Sequence, residues 1–342
     1  MLSYTLRRVL LMIPTLCGIT LLCFLLMRMA GNDPLVVQFQ NPMQRQQISA
    51  EAMQQLRALY DLDKPWYVQY GKLVGRLVTL DLGTCWQNGR KIIDVVGEAL
   101  PITLLLSLAS MLLAYLISIP LGVMSAVKQN TLLDRVVTIF LFVLYSLPGF
   151  WLGTMFIVFL ASGKFITCAW LPDGACFPLQ GWHAFDGFES MSTWQKVRDV
   201  TWHLILPVIT LTYPAFAVTS RFMRAGMLET LRQDYIRTAR AKGLPERAVV
   251  FGHALRNSLI PIVTLIGLEL PELISGSVIV ESIFGVRGMG LVALEAIRMP
   301  DYPLVITLVA FTAVMTMLGM LLSDLLYAWV DPRIKYGSEQ GS

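Results

Sequence analysis

Six long stretches of this chain are nearly free of Asp, Glu, Lys and Arg, and they constrain its fold more than any other feature. They run roughly over residues 9–27, 100–127, 136–163, 201–220, 258–280 and 302–329. A bilayer core about 30 Å thick is crossed by about 20 apolar residues of helix, so each stretch is long enough to span one. Composition agrees. Charged residues make up 15% of the chain and hydrophobic ones 55%, against about 25% charged in soluble domains. So few charges cannot cover a water-facing surface. A set of soluble domains is therefore excluded, and a chain this apolar is not a disordered one. The formal net charge of +4 is too weak to point to nucleic acid. The first stretch reads as a retained helix rather than a cleaved leader, because it runs on to Arg28 without a small-x-small cleavage site.

Cation placement sets the expected orientation. With the N-terminus inside, the inner segments carry fourteen basic residues and six acidic ones, and eight of the basic residues lie between Arg221 and Arg256. Most basic residues of the outer segments lie in one loop too long to count in the rule. Both termini are then cytoplasmic. The expected organisation is an N-terminus and first helix over 1–28, an external loop region over 29–99, a five-helix core over 100–330 that contains a cytoplasmic loop at 221–256, and a cytoplasmic tail over 331–342. Within the external loop, 44–62 is helical in pattern and 65–82 interleaves aromatic with polar residues. It is either a cap over helix ends or a docking surface.

The inner loop at 221–256 is the most informative segment. Its pattern is helix, break, helix. Asp234 stands near the start of a short helix containing Tyr235, Arg237, Thr238, Ala239, Arg240, Ala241 and Lys242. Gly243 can end that helix in a left-handed cap, Leu244 follows, and Pro245 suits the first turn of the next helix. A short helix with small residues on one side and cations on the other lies on a surface, either lipid headgroups or a partner protein.

Inside the spans, proline recurs at positions 14, 120, 148, 207, 214, 261 and 271. Each removes a backbone hydrogen bond, and such breaks are tolerated where neighbours or a water-filled path satisfy the freed groups. Three acids lie within spans, and an acid in lipid costs at least about 2.5–3.5 kcal/mol on insertion scales. Glu269 and Glu272 are three apart, hence on one helix face. They either line a pathway and meet a cationic group or sit in a subunit interface. Asp324 reads as structural. Cys17 and Cys23 read as packing residues; Cys168 and Cys176 bracket a short outer loop and either pair or stay as thiols. The three histidines are scattered, so no metal cluster is visible.

The run from Asp234 to Leu244 resembles the cytoplasmic "EAA" loop of ABC-importer permeases, in the form used by the dipeptide/oligopeptide/nickel branch, where Arg237 and Thr238 stand for the Glu-Ala of the wider family. Further similarity runs along nearly the whole chain. It includes Asn32-Asp33-Pro34, Asp63-Lys64-Pro65, Asp81-Leu82-Gly83-Thr84, His203-Leu204-Ile205-Leu206-Pro207 and Val280-Glu281-Ser282-Ile283-Phe284. The long first external loop resembles the B-type subunit. One departure is Arg287, which occupies a position usually held by proline, before Gly288-Met289-Gly290.

The resemblance implies an all-α membrane protein with the six-helix type I importer permease fold. It implies that the 234–244 loop couples to a cytoplasmic ATPase and that the chain is not itself an enzyme. The implied partners are a homologous second permease, two ATPase subunits that hold ATP and Mg, a periplasmic or extracellular solute-binding protein, and membrane lipid; this chain binds no cofactor or metal of its own. The implied location is the bacterial inner membrane. The implied cargo is a dipeptide, an oligopeptide or a related small solute, with nickel or a metal chelate as the alternative. In agreement, the chain lacks a Gly-x-x-x-x-Gly-Lys-[Ser/Thr] phosphate loop. A secondary transporter driven by an ion gradient is the rival of a different class, and the absence of an evident inverted repeat argues against it.

Overall fold

The computed structural model describes residues 2–29, 54, 63–162, 176–270, 272–299 and 301–330. In chain order the helices are α1 (Leu2–Met29), α2 (Trp66–Val78), α3 (Ile92–Val127), α4 (Leu132–Ser146), α5 (Gly149–Phe156), α6 (Thr193–Leu231) and α7 (Asp234–Ala241). They continue as α8 (Leu255–Ser258), α9 (Ile260–Glu269), α10 (Glu272–Ser275), α11 (Val278–Ile283), α12 (Met289–Arg298) and α13 (Tyr302–Val330). Among the described residues the sole β pairing is the bridge between Thr84 and Lys91.

Four helices are long and apolar enough to cross a membrane: α1, α3, α6 and α13. Two bent pairs bring the number to six. The first is α4 with α5 and the π turn Ile157–Ala161, bent by 91°. The second runs from Ala248 to Ser275 and is bent by 40°. The six expected spans are thus present, with two corrections. The third is broken rather than straight, and the fifth starts about ten residues early and ends before 280.

Proline chemistry explains the breaks. Leu147 precedes Pro148, is pushed out of helical geometry (ψ 128°) and ends α4. The Leu147 carbonyl freed by the turn is not left bare, because the buried Tyr213 hydroxyl of α6 donates to it at 2.6 Å. In the fifth span Pro261 falls in the first turn of α9, where its missing N–H costs little.

The helices α3 and α6 form the centre, and small and hydroxylated residues let them approach closely. The hydroxyls of Thr212 and Ser220 donate to the carbonyls of Ser110 and Ser118, both at 3.3 Å. At Gly122 a Cβ would stand 2.6 Å from that of Met223, so the closest part of the contact admits no side chain. At the end of this pair Asp134 accepts from Arg224 twice, at 3.1 and 2.9 Å, from the Asn130 N–H at 3.0 Å, and from Ser125. This network ties the turn between α3 and α4 to α6. Helix α1 packs on α13 at the periphery, where Arg8 pairs with Asp324. Asp324 is therefore held by an ion pair between helices.

Candidate functional site

The expected coupling loop is built as the residue pattern requires. Helix α7 is closed by two bonds: Gly243 N–H donates to the Arg240 carbonyl at 2.9 Å, and Leu244 N–H to the Ala239 carbonyl at 3.4 Å. This is a Schellman motif, which needs a left-handed residue after the cap. Gly243 supplies it with φ +78°. Pro245 then opens the next segment by accepting from Ala248 N–H and Val249 N–H at 2.8 and 3.1 Å. That segment begins as a π helix over Ala248–Ala254 before α8.

The two sides of α7 differ. Ile236, with 0% of its surface exposed, and Ala239 pack in a core cluster with Met223 and Met227 of α6, Val123 of α3, and Val249 and Ile262 of the fifth span. Full burial of a residue such as Ile236 stabilises by about 1.5–3 kcal/mol. Ala239 thus faces inward, and of the small residues expected to allow a partner's approach Ala241 and Gly243 are the exposed ones. Asp234, Tyr235, Arg237, Thr238, Arg240, Lys242 and Leu244 are also exposed. Arg240 forms two bonds to Glu246, at 3.1 and 2.7 Å, and so pins the loop across its turn. The Arg240 guanidinium holds the Glu246 carboxyl below its ordinary value. Arg237 pairs with Asp234 at 3.3 Å, and Asn257 donates to the Tyr235 hydroxyl at 2.6 Å. The loop is therefore joined rigidly to three spans and shows a cationic face outward.

Glu269 and Glu272 fall in successive helices near the end of the fifth span. Glu269 is the last residue of α9 and Glu272 the first of α10. Their surroundings differ. Glu269 is half-buried and accepts from the Tyr115 hydroxyl of α3 at 2.9 Å, while Glu272 is exposed. Cys176 is disulfide-bonded, whereas Cys17, Cys23 and Cys85 are free; Cys168 lies outside the described residues, as do 331–342 and all of 44–62 except Gln54. Among the described residues no group of three His, Cys, Asp or Glu is placed to hold a metal ion.

One residue that the pattern of charges did not single out is Glu281, at 0% exposure. It accepts from Thr103 Oγ1 of α3 at 3.2 Å, from Ser277 N–H at 3.3 Å and from Leu291 N–H at 2.8 Å. Thr103 in turn accepts from Met289 N–H at 2.7 Å. The carboxylate thereby fastens α11, the glycine turn and α12 to α3. A Cβ on Gly276 or Gly288 would run into the Glu281 carboxylate, and one on Gly290 would stand 2.7 Å from Val278 N. Arg287, in the position usually held by proline, reaches Glu295 at 3.5 Å. The signal for Glu281 was its place in the Val-Glu-Ser-Ile-Phe motif; its burial could not be read from the motif.

Comparison with known proteins places these features in a family. Residues 118–336 match the family described as "Binding-protein-dependent transport system inner membrane component". The chain is 39% identical to the oligopeptide transport system permease protein AppB of Bacillus subtilis, over 98% of this chain and 100% of that one. It is 38% identical to the di/tripeptide transport system permease protein DppB of Pseudomonas aeruginosa, and 37% identical to the dipeptide transport system permease protein DppB of Escherichia coli K12, each match covering 98% of this chain and 99% of the relative. With this coverage of both chains and the helical membrane architecture, the protein belongs to that family, as an inner-membrane permease subunit of an ABC importer rather than an enzyme.

Proposed function

We propose that the chain forms, with a homologous second permease, the membrane pathway for dipeptides, oligopeptides or a related small solute. Two cytoplasmic ATPases, carrying ATP and Mg, drive it, and a periplasmic or extracellular solute-binding protein delivers the cargo. Both termini lie in the cytoplasm. This chain holds no cofactor. The permeases named for peptide transport that share 37–39% of its residues support the choice of cargo.

The observation that carries the reading is the two-sided build of α7. Its inner residues Ile236 and Ala239 belong to the core of α3, α6 and the fifth span, and its outer residues Arg237, Arg240 and Lys242 are cationic and exposed. A force on the outer side is passed to three spans without loss in a flexible link. The ATPase docks there, and Glu269 and Glu272 line the pathway and meet a cationic group such as a peptide amine. The test is co-purification with the ATPase, together with uptake of a labelled dipeptide in vesicles. Both are expected with the unaltered chain. Failure of the ATPase to associate would overturn the reading. Glu269→Gln should leave ATPase association intact and reduce uptake of cationic peptides; loss of assembly instead would place Glu269 in an interface. For orientation, a cysteine at Ser192 should react with an impermeant reagent from outside and one at Thr238 should not. We also assign Cys168 as the partner of Cys176, and a non-reducing digest should recover the two as one linked peptide.

A further inference from the structure

Helix α2 carries a division of side chains that nothing in the transport mechanism uses. At 100° per residue, Trp66, Tyr67, Tyr70, Leu73, Leu77 and Val78 fall in an arc of about 140°. Gln69, Lys72 and Arg76 fall in a narrow arc on the opposite side. Among the described residues the helix packs against α1. There the Tyr70 hydroxyl donates to the Cys17 carbonyl at 2.8 Å and meets the Thr20 hydroxyl at 3.1 Å, and the Tyr70 ring stands 5.8 Å from Phe24. Within the apolar arc Leu73 and Leu77 are half-buried, while Tyr67 is 62% exposed and Val78 78%.

Depth decides what covers it. Helix α1 crosses the membrane, and its apolar stretch ends near Met27 and Arg28. A rise of 1.5 Å per residue puts Thr20 roughly 10 Å inside that end. A helix whose tyrosine reaches Thr20 and Cys17 cannot stand clear of the bilayer in water. Gln69, on the polar arc, receives a bond from Arg28 at 3.3 Å, at the level where the apolar stretch stops. The apolar side is thus at the depth of the acyl chains and the polar side at that of the headgroups. Amphipathic helices in the interface bury their apolar face by about 5–10 Å, which agrees with this placement. Trp66 and Tyr67 are the residue types that collect at that boundary.

We propose that α2 is a membrane-surface helix: its Tyr67–Val78 side is seated among the acyl chains of the leaflet where α1 ends, and Arg76 meets the lipid phosphates. The segment is then neither a water-exposed cap nor a docking site for a soluble partner. It anchors the second half of the long external loop to the bilayer beside α1.

The test uses the whole chain in its transporter, reconstituted in phosphatidylcholine vesicles, with Cys17, Cys23 and Cys85 replaced by alanine. Nitroxide labels at Tyr67→Cys, Val78→Cys and Lys72→Cys are exposed to oxygen, which concentrates in lipid, and to a water-soluble nickel chelate. The ratio of oxygen to nickel accessibility should be several-fold higher at 67 and 78 than at 72. Equal nickel accessibility at 67 and 72 would overturn the proposal, since the side would then face water. Low accessibility to both reagents at 67 and 78 would overturn it as well, by showing a protein partner there. Gly71→Cys provides a second site beside Tyr67 that removes no apolar side chain, since a Cβ there meets nothing within 4 Å. Its ratio should follow that of 67.

Discussion

Two glycine-bearing regions at opposite ends of the fifth span differ in what surrounds their glycines. The turn after α7 needs its glycine for backbone angle alone: Gly243 has φ +78°, yet a Cβ there would meet nothing within 4 Å. Around α11 and α12 the glycines also provide space: Gly276, Gly288 and Gly290 are pressed against Glu281, Thr103 and the Val278 backbone, and Gly276 in addition holds a left-handed φ of +70°. One charge cluster is open to solvent, with Arg240 and Glu246 paired at the surface; the other is a single carboxylate at 0% exposure. The difference separates two jobs. The proposed docking loop has a firm root and a free outer face. A turn that holds helices at a fixed spacing needs close packing on all sides.

The comparison is broken most directly at the buried carboxylate. Glu281→Ala leaves Ser277 N–H, Leu291 N–H and the Thr103 hydroxyl without their acceptor. At about 1–3 kcal/mol for each unsatisfied buried group, the loss should reach roughly 3–5 kcal/mol. The measurement is thermal unfolding of the purified protein in detergent, and a midpoint equal to that of the unaltered chain would refute the fastening role.

A second prediction tests space against angle. Gly290→Val forces side-chain atoms onto the Val278 backbone and should destabilise by about 1–3 kcal/mol. Gly243→Arg meets no neighbour at its Cβ and should cost only about 1 kcal/mol, from left-handed strain. The two should separate in function. The Gly290 variant should be poorly assembled, and the Gly243 variant should assemble, bind the ATPase weakly and lose uptake. Uptake at the unaltered level in Gly243→Arg would move the coupling contact elsewhere.

The smallest effect is expected at the surface pair. Glu246 has a lowered pKa because of its bond to Arg240. Its contribution is therefore present above the ordinary carboxyl value of 4.5 and is lost as the pH falls through the lowered folded value. An exposed pair contributes little. Arg240→Ala should speed amide exchange in α7 a few-fold at most at neutral pH, and the gap between variant and parent should close in acid. A gap that persists in acid would show that Arg240 acts by another contact.

How far the sequence reached depends on the range of the interaction involved. The Schellman cap at Gly243 was legible because its two bonds join residues within five positions of each other. The sixfold charge gap was legible because the bilayer acts on each segment separately. The place of Glu269 within the fifth span was legible, but the bond it receives from Tyr115 was not, because Tyr115 comes from α3. The burial of Ala239 was not legible because its inward neighbours, Met223 and Val249, come from other elements.

The sequence by itself determined the apolar stretches, the place of the basic loop between the fourth and fifth of them and the capped helix within it, since local periodicity, charge and glycine or proline geometry govern all three. Only the tertiary structure decided that the third span turns by 91°, that Tyr213 satisfies the carbonyl at that turn, and that Glu281 is bound by Thr103, 178 positions away. These depend on which helices lie side by side, and that follows from the packing of α3 against α6, where small residues on both helices must meet at once.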